Sequence, residues 1–268
     1  MEERMKKVLG LVGATLLFAG PGLAADLGRP PVYKAPPMVA PFSWTGCYIG
    51  ATAGGVRGKS DVSSDATAGP GGFSAAGAAA IDSQTAGSFS SSGFTGGGEL
   101  GCNYQFNPWL VLGVEGDFEY TGLSDSVSGV VALGRSSATF TESFSSHWLS
   151  TVRGRVGIAN GQWLFFATGG AAFANPTFSD FISFPPGSFG SSSSFNAASS
   201  SGTITGWTAG GGVEWFFMPQ WSVKAEYLHV DFGTTSFTSA NSAVPTATIL
   251  HSHTLTEDIG RIGVNFHF

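Results

Sequence analysis

Between residues 110 and 120 the chain puts acids and large apolar side chains on opposite sides of one extended segment. Leu110, Leu112, Val114, Phe118 and Tyr120 share one parity, while Glu115, Asp117 and Glu119 share the other. Successive side chains of a strand point to opposite faces, so this segment has one oily and one charged side. Three acids at alternate positions repel one another unless cations lie nearby. The arrangement recurs. Trp148, Val152, Val156 and Ile158 oppose Arg153 and Arg155, and Trp221, Val223, Ala225 and Tyr227 oppose Ser222, Lys224 and Glu226. At the C-terminus Ile262, Val264, Phe266 and Phe268 oppose Arg261, Asn265 and His267. A water-soluble barrel wants the reverse, an apolar interior and a polar outside.

The alternation predicts eight strands, over residues 44–56, 93–106, 109–120, 146–159, 163–174, 203–217, 221–232 and 256–268. Asn107-Pro108, Asn160-Gly161 and Met218-Pro-Gln220 are tight-turn signals after the second, fourth and sixth. The other connections, 58–92, 121–145, 175–202 and 233–255, are rich in Gly, Ser and Thr and read as long loops. An even strand count with short turns on one side and long loops on the other is the pattern of a transmembrane β-barrel. Strands of about 9–11 residues tilted by 45° cross a hydrocarbon layer, and backbone facing lipid requires the sheet to close on itself. The expected fold is therefore all-β: an eight-stranded antiparallel transmembrane barrel of the outer-membrane type, with long outer loops and short periplasmic turns.

Trp109, Trp163 and Trp221 directly follow the three short turns, and Phe106 and Phe217 precede two of them. All five fall at one rim, as an interfacial aromatic girdle requires. Charge then belongs inside. Glu115, Asp117 and Glu119 face a neighbouring strand carrying Arg153 and Arg155. Lys224, Glu226, Arg261 and Glu257 come from the last two strands, and Glu99 and Glu214 from the second and sixth. Eight strands enclose a space about wide enough for side chains to fill, so the expectation is a lumen plugged by ion pairs, not a wide channel.

Composition agrees. Only 11% of residues are charged, where a surface facing water usually carries about 25–35%. Arg4, Lys6 and Lys7, the apolar run 8–20 and Pro21-Gly-Leu-Ala-Ala25 form an export signal over residues 1–25. Residues 26–43 hold five prolines and read as an extended periplasmic linker, leaving 44–268 as the barrel. The net charge of -6 argues against a nucleic-acid partner.

Other candidate sites are modest. Cys47 and Cys102 lie near the same end of adjacent antiparallel strands in an oxidising compartment. A disulfide and two lone apolar cysteines are both open readings. His251 and His253 sit two apart in an expected loop with no third ligand nearby, so no metal is expected. The acids of residues 115–119 lack a paired base or nucleophile, and no phosphate-cradling glycine loop is present. Neither catalysis nor a cofactor is expected.

Several segments together resemble a known family: Tyr33-Lys-Ala-Pro-Pro37, Trp44-Thr-Gly-Cys-Tyr-Ile-Gly50, Gly206-Trp-Thr-Ala-Gly-Gly-Gly-Val-Glu214, Trp221-Ser-Val-Lys-Ala-Glu-Tyr-Leu228 and the Gly260-to-Phe268 ending. The chain is similar to the small outer-membrane β-barrel proteins of alphaproteobacteria, the rhizobial and Brucella-type outer-membrane immunogenic proteins often labelled "porin family". The resemblance covers nearly all of residues 26–268 and departs in the composition of 58–92 and 175–202. It implies a protein of the Gram-negative cell outer membrane that supports envelope integrity and is exposed at the surface, without a wide pore. The partners implied are outer-membrane lipid and lipopolysaccharide, periplasmic chaperones and the outer-membrane assembly machinery, whose recognition signal Val264, Phe266 and Phe268 resemble. A narrow solute pore, and binding of a host molecule or small ligand such as haem through the loops, are the rival functions.

Overall fold

The computed structural model describes residues 42–188 and 193–268. The expected export signal and almost all of the proline-rich segment lie outside them. The described residues form one antiparallel sheet of ten strand segments, with one helix. In chain order these are β1 (Gly46–Ala66), α1 (Ala75–Thr85), β2 (Gly87–Gln105), β3 (Leu110–Leu133), β4 (Ser136–Asn160), β5 (Trp163–Ala174) and β6 (Thr177–Phe184). They continue with β7 (Ser194–Ser201), β8 (Ile204–Met218), β9 (Trp221–Asn241) and β10 (Thr248–His267). Pairing runs β1–β2–β3–β4–β5–β8–β9–β10, and β10 also pairs with β1, from Tyr48↔His267 up to Ala66↔Ile249.

The four expected long loops are corrected. Residues 58–92 carry the continuation of β1, helix α1 and the start of β2. Residues 121–145 carry β3 and β4 onward to a tight turn at Gly134, whose φ is 73°. Residues 175–202 contain β6 and β7, and 233–255 carry β9 to Asn241 and start β10 at Thr248. His251 and His253 are therefore on a strand, side chains buried. The physical reason is a swap of polarity along the same strands. Beyond Tyr120 the outward positions turn to Ser and Thr, such as Thr141, Ser143, Ser179 and Ser252. Many inward ones become apolar, among them Phe144, Phe178, Ile182, Leu255 and Ile249, with Glu142, Asp180, His251 and His253 between them. Outward Ser and Thr over a partly apolar inside is the alternation of a sheet facing water, although Val130, Phe181 and Leu250 also remain exposed. Asn175-Pro176 separates β5 from β6, because proline has no N–H for the ladder. β6 pairs with β4 (Phe144↔Phe178), and β7 reaches β9 at Asn196↔Asn241.

Helix α1 fills the gap where β2 and β3 part. The Ser74 hydroxyl caps it by accepting from the Gly77 N–H at 3.0 Å, and Ala78, Ile81 and Thr85 are buried beneath it. Gln84 bonds Ala132 of β3 twice, accepting its N–H at 2.9 Å and donating to its carbonyl at 3.3 Å. At the opposite end Cys47 sits across from Cys102 on the outward face, and the two form a disulfide with Cα atoms 3.9 Å apart.

Close approach of β5 to β4 depends on glycine. A Cβ on Gly170 would lie 2.0 Å from the Val152 carbonyl oxygen and 2.7 Å from Cα of Arg153, its register partner. At neighbouring Gly154 the nearest atom would be 3.9 Å away. Gly170→Ala is expected to lower the urea midpoint, at a cost of roughly 1–3 kcal/mol, while Gly154→Ala leaves it nearly unchanged. Equal midpoints for the two variants would refute the close-approach argument.

Candidate functional site

The enclosed side of the sheet is stacked in tiers, which the inward residues of β10 traverse in order: His267, Asn265, Arg261, Ile259, Glu257, Leu255, His253, His251, Ile249. At the short-turn end Trp44 folds across the mouth. Its indole N–H donates to the Gly161 carbonyl at 3.1 Å, and its backbone N–H donates to Gln105 Oε1 at 2.8 Å. Phe42, Phe216 and His267 pack around the indole at centroid distances of 5.7, 4.7 and 6.4 Å.

Above this plug lies the charged tier. Glu99, Glu115, Asp117, Glu119, Glu214 and Glu226 meet Arg153, Arg155, Lys224 and Arg261, all buried. Arg153 faces Glu115 directly across the β3–β4 ladder. It bonds Glu115, Asp117 at 2.8 Å and, across the lumen, Glu226 at 2.9 Å. Arg261 joins Glu119, Asp117 at 2.9 Å and Glu226 at 2.5 Å. Lys224 reaches Glu99 at 2.5 Å and Glu115 at 2.9 Å. Arg155 is set apart from its expected acids on β3: its closest partner is Glu214 of β8, at 2.5 Å, and its guanidinium lies 3.7 Å from the centroid of the Phe166 ring.

Six carboxylates against four cations leave an excess of negative charge, which hydroxyl and amide donors offset. Tyr48 donates to Glu115, Thr52 and Thr95 donate to Glu119 at 2.6 and 2.8 Å, and Ser222 and Asn265 donate to Glu214 at 2.6 and 3.1 Å. Glu99, Glu115 and Glu226 also form a carboxylate cluster compact enough to hold a metal ion. The Lys224 ammonium sits against all three, 3.5 Å from Glu226, so its charge already fills the cation's role.

An apolar tier follows: Leu123, Phe144, Leu149, Phe178, Leu228, Val230, Leu255 and Ile259 among others. Glu257 lies at this level. It is separate from the charged network, and neither carboxylate oxygen has a hydrogen-bond partner among the described residues. Next comes a polar tier that the sequence did not reveal. His253 Nε2 lies 2.8 Å and His251 Nδ1 3.2 Å from one oxygen of Asp180. Ser239 is 2.9 Å from His251 Nε2, and Glu142 stands across the ladder from Asp180. Serine, histidine and aspartate in this order resemble a nucleophile relay, yet Ser239 is only 1% exposed and out of a substrate's reach. A second apolar tier under α1, with Ile81, Val131, Ile182 and Ile249, covers the top. The signal for both upper tiers was continued alternation through Phe144, Phe178 and Ile249, hidden by Ser-rich neighbours.

On the outside, Phe106, Trp109, Trp163, Phe217 and Trp221 are exposed around the short turns. A second ring was missed as such in the sequence: Phe94, Tyr120, Trp148, Phe173, Trp207 and Tyr227 project outward near the polarity swap. The strand rise between Trp163 and Phe173 corresponds to roughly 25 Å of height at a 45° tilt. Val264 and Phe266 line the outward face of β10, and Phe268, just past its end, is 73% exposed.

Removing one partner from a buried ion pair leaves uncompensated charge and costs about 3–5 kcal/mol. Arg153→Met is expected to lose stability on that scale, read as the urea midpoint in vesicles; a loss no larger than for Lys59→Met at the exposed surface would contradict the network. The upper polar tier predicts a pH dependence. Burial, with Asp180 adding to it, raises the Glu142 carboxyl to about 8. That contribution is present below the ordinary carboxylate range and is lost as pH rises through about 8. Burial lowers His251, opposed by Asp180, so its contribution is present above the ordinary imidazole range and is lost as pH falls. Amide exchange across residues 139–145 and 177–183 should accelerate, beyond the intrinsic base catalysis, from pH 6 to pH 9. Glu142→Gln should abolish the excess; an unchanged excess would remove Glu142 as its source.

Comparison with known proteins accords with this geometry. Residues 39–268 match the family model described as outer membrane protein beta-barrel domain. The chain is 31% identical over 274 aligned residues to the 31 kDa outer-membrane immunogenic protein of Brucella melitensis biotype 1, covering 98% of this chain and 100% of that protein. The same figures hold for its counterpart from Brucella suis biovar 1. Neither is named for a catalytic activity. Among solved structures, the outer membrane protease OmpT of Escherichia coli aligns with a TM-score of 0.45 and 8% identity, over 85% of this chain and 98% of that one; a likeness at that level carries no argument. The chain belongs to the outer membrane β-barrel family of the Brucella-type 31 kDa immunogenic protein, and resides in the outer membrane of a Gram-negative, alphaproteobacterial cell.

Proposed function

We propose that the protein is a structural eight-stranded transmembrane barrel with a sealed lumen, contributing to envelope integrity and presenting a rigid extension at the cell surface. One observation carries the reading: among the described residues, apolar tiers lie below, between and above the two polar ones and interrupt the polar lining of the inward face. Pairing of β10 with both β9 and β1 supports closure without a free edge at membrane level. The ten strand segments are compatible with eight barrel strands, because β6 prolongs β5 and β7 precedes β8 across interruptions at 175–176 and 202–203.

In this reading residues 1–25 are removed on export and 26–43 remain in the periplasm as a linker leading to the Trp44 plug. The barrel spans 44–268. The ten charged residues act as an interior brace, the two aromatic rings mark the two interfaces, and the outward Val264, Phe266 and Phe268 are what the assembly machinery reads. Lipopolysaccharide surrounds the outer half. Host-surface contacts fall to the tops of β6, β7 and α1.

Reconstituted in planar bilayers, the purified protein is expected to give no stable conductance steps. It should migrate faster unboiled than boiled on a detergent gel. Reproducible single-channel steps from the intact protein would instead favour a narrow pore and end the sealed-lumen proposal.

A further inference from the structure

We infer that Arg57 and Lys59, on the outward face of β1, hold the phosphate groups of one phosphorylated glycolipid molecule of the outer leaflet. The inference rests on the membrane-spanning reading and gives it a specific lipid contact. Seven Lys and Arg residues occur in 42–268. Four are consumed inside the sheet and Arg135 stands at the β3–β4 turn, so the remaining outward cations are these two, on one strand at alternate positions.

Their height is specific. Below them the outward face of β1 is Ile49, Ala51, Ala53 and Gly55, with no charge. Arg57 is the first polar residue above that band, one residue pair above Phe94, which lies opposite Gly55. A lipid phosphate sits at this boundary between acyl chains and water, where each nearby Lys or Arg favours anionic headgroups. Around the pair lie groups suited to sugar hydroxyls. Lys59 is flanked by Ser90 of β2 and Thr256 of β10, and Arg57 by Ser92 and Asp258. A groove of about 330 Å³ is lined by Arg57, Lys59, Ser88, Ser90, Thr256 and Asp258.

Two acids stand beside the pair, Asp258 next to Arg57 and Asp61 next to Lys59, and a bound phosphate competes with them for the two cations. Asp258 is engaged by the Tyr227 hydroxyl at 2.6 Å and by His229 Nδ1 at 2.8 Å. Asp61 pairs with Lys59 at 3.0 Å, but both side chains are more than half exposed. Such a pair contributes little and yields to a phosphate carrying more charge. Above the pair, the outward Ser and Thr of β2, β9 and β10 offer uncharged hydroxyls at the level of the saccharide. Apolar residues, the cation pair and hydroxyl-bearing residues thus follow in vertical order on this side of the sheet, with Asp61 and Asp65 of β1 among the last group.

The test compares native protein with Arg57→Gln/Lys59→Gln, both extracted from native membranes in mild detergent, and quantifies co-purifying phosphorylated glycolipid by native mass spectrometry. The double variant is expected to retain about tenfold less or lower, while Arg135→Gln retains the native amount. Adding glycolipid stripped of its phosphates should not discriminate the proteins. Equal retention by native and double variant overturns the inference, as does displacement of the lipid by millimolar inorganic phosphate, which would indicate a free-anion site. Each variant's heat-dependent gel shift is the folding control, and if the double variant lacks it the two single variants carry the same comparison. Loss of the shift in the native protein would sink the membrane-spanning reading itself, a separate outcome.

Discussion

A peptide group surrounded by hydrocarbon has no water to bond, so every N–H and C=O at that depth needs a partner in the chain. That demand makes the β10–β1 ladder the contact on which the rest depends. With it in place, the inward faces of strands far apart in sequence, such as β2 and β9, come within reach of each other. Lys224 can then meet Glu99, 125 positions away along the chain. The charged tier is a product of that pairing more than its cause: cations and acids are tolerable there because the paired strands bring opposite signs together.

The lower half was legible because two unfavourable patterns solve each other. Glu115, Asp117 and Glu119 on one face make sense beside Arg153 and Arg155, and Trp109, Trp163 and Trp221 fall at one rim whatever the register. Which cation meets which acid was not legible. Arg155 leaves the β3 acids largely to Arg153, Arg261 and Lys224 and turns to Glu214, a choice set by the geometry of the enclosed face and by the Phe166 ring beneath it.

The upper half was illegible for a different reason. Ser and Gly runs score as loops by local propensity, and propensity yields to tertiary context in sheets. Ser143 and Ser145 flank Phe144, whose value as a core residue exists only because Phe178 lies opposite, 34 positions later. The cysteines show the same limit in miniature. Placing Cys47 against Cys102 needs the register to the residue, and turn signals leave it loose by one or two.

Where β2 leaves β3, the upper part of β3 is a bare edge, the kind of template on which strands of separate molecules zip together. Gln84 occupies that edge at Ala132 with both its donor and its acceptor, and α1 stands in front of it. A strand arriving from another molecule would have to displace these two bonds to pair there. A single amide side chain on a helix thus takes up one donor and one acceptor of a ladder left without its next strand.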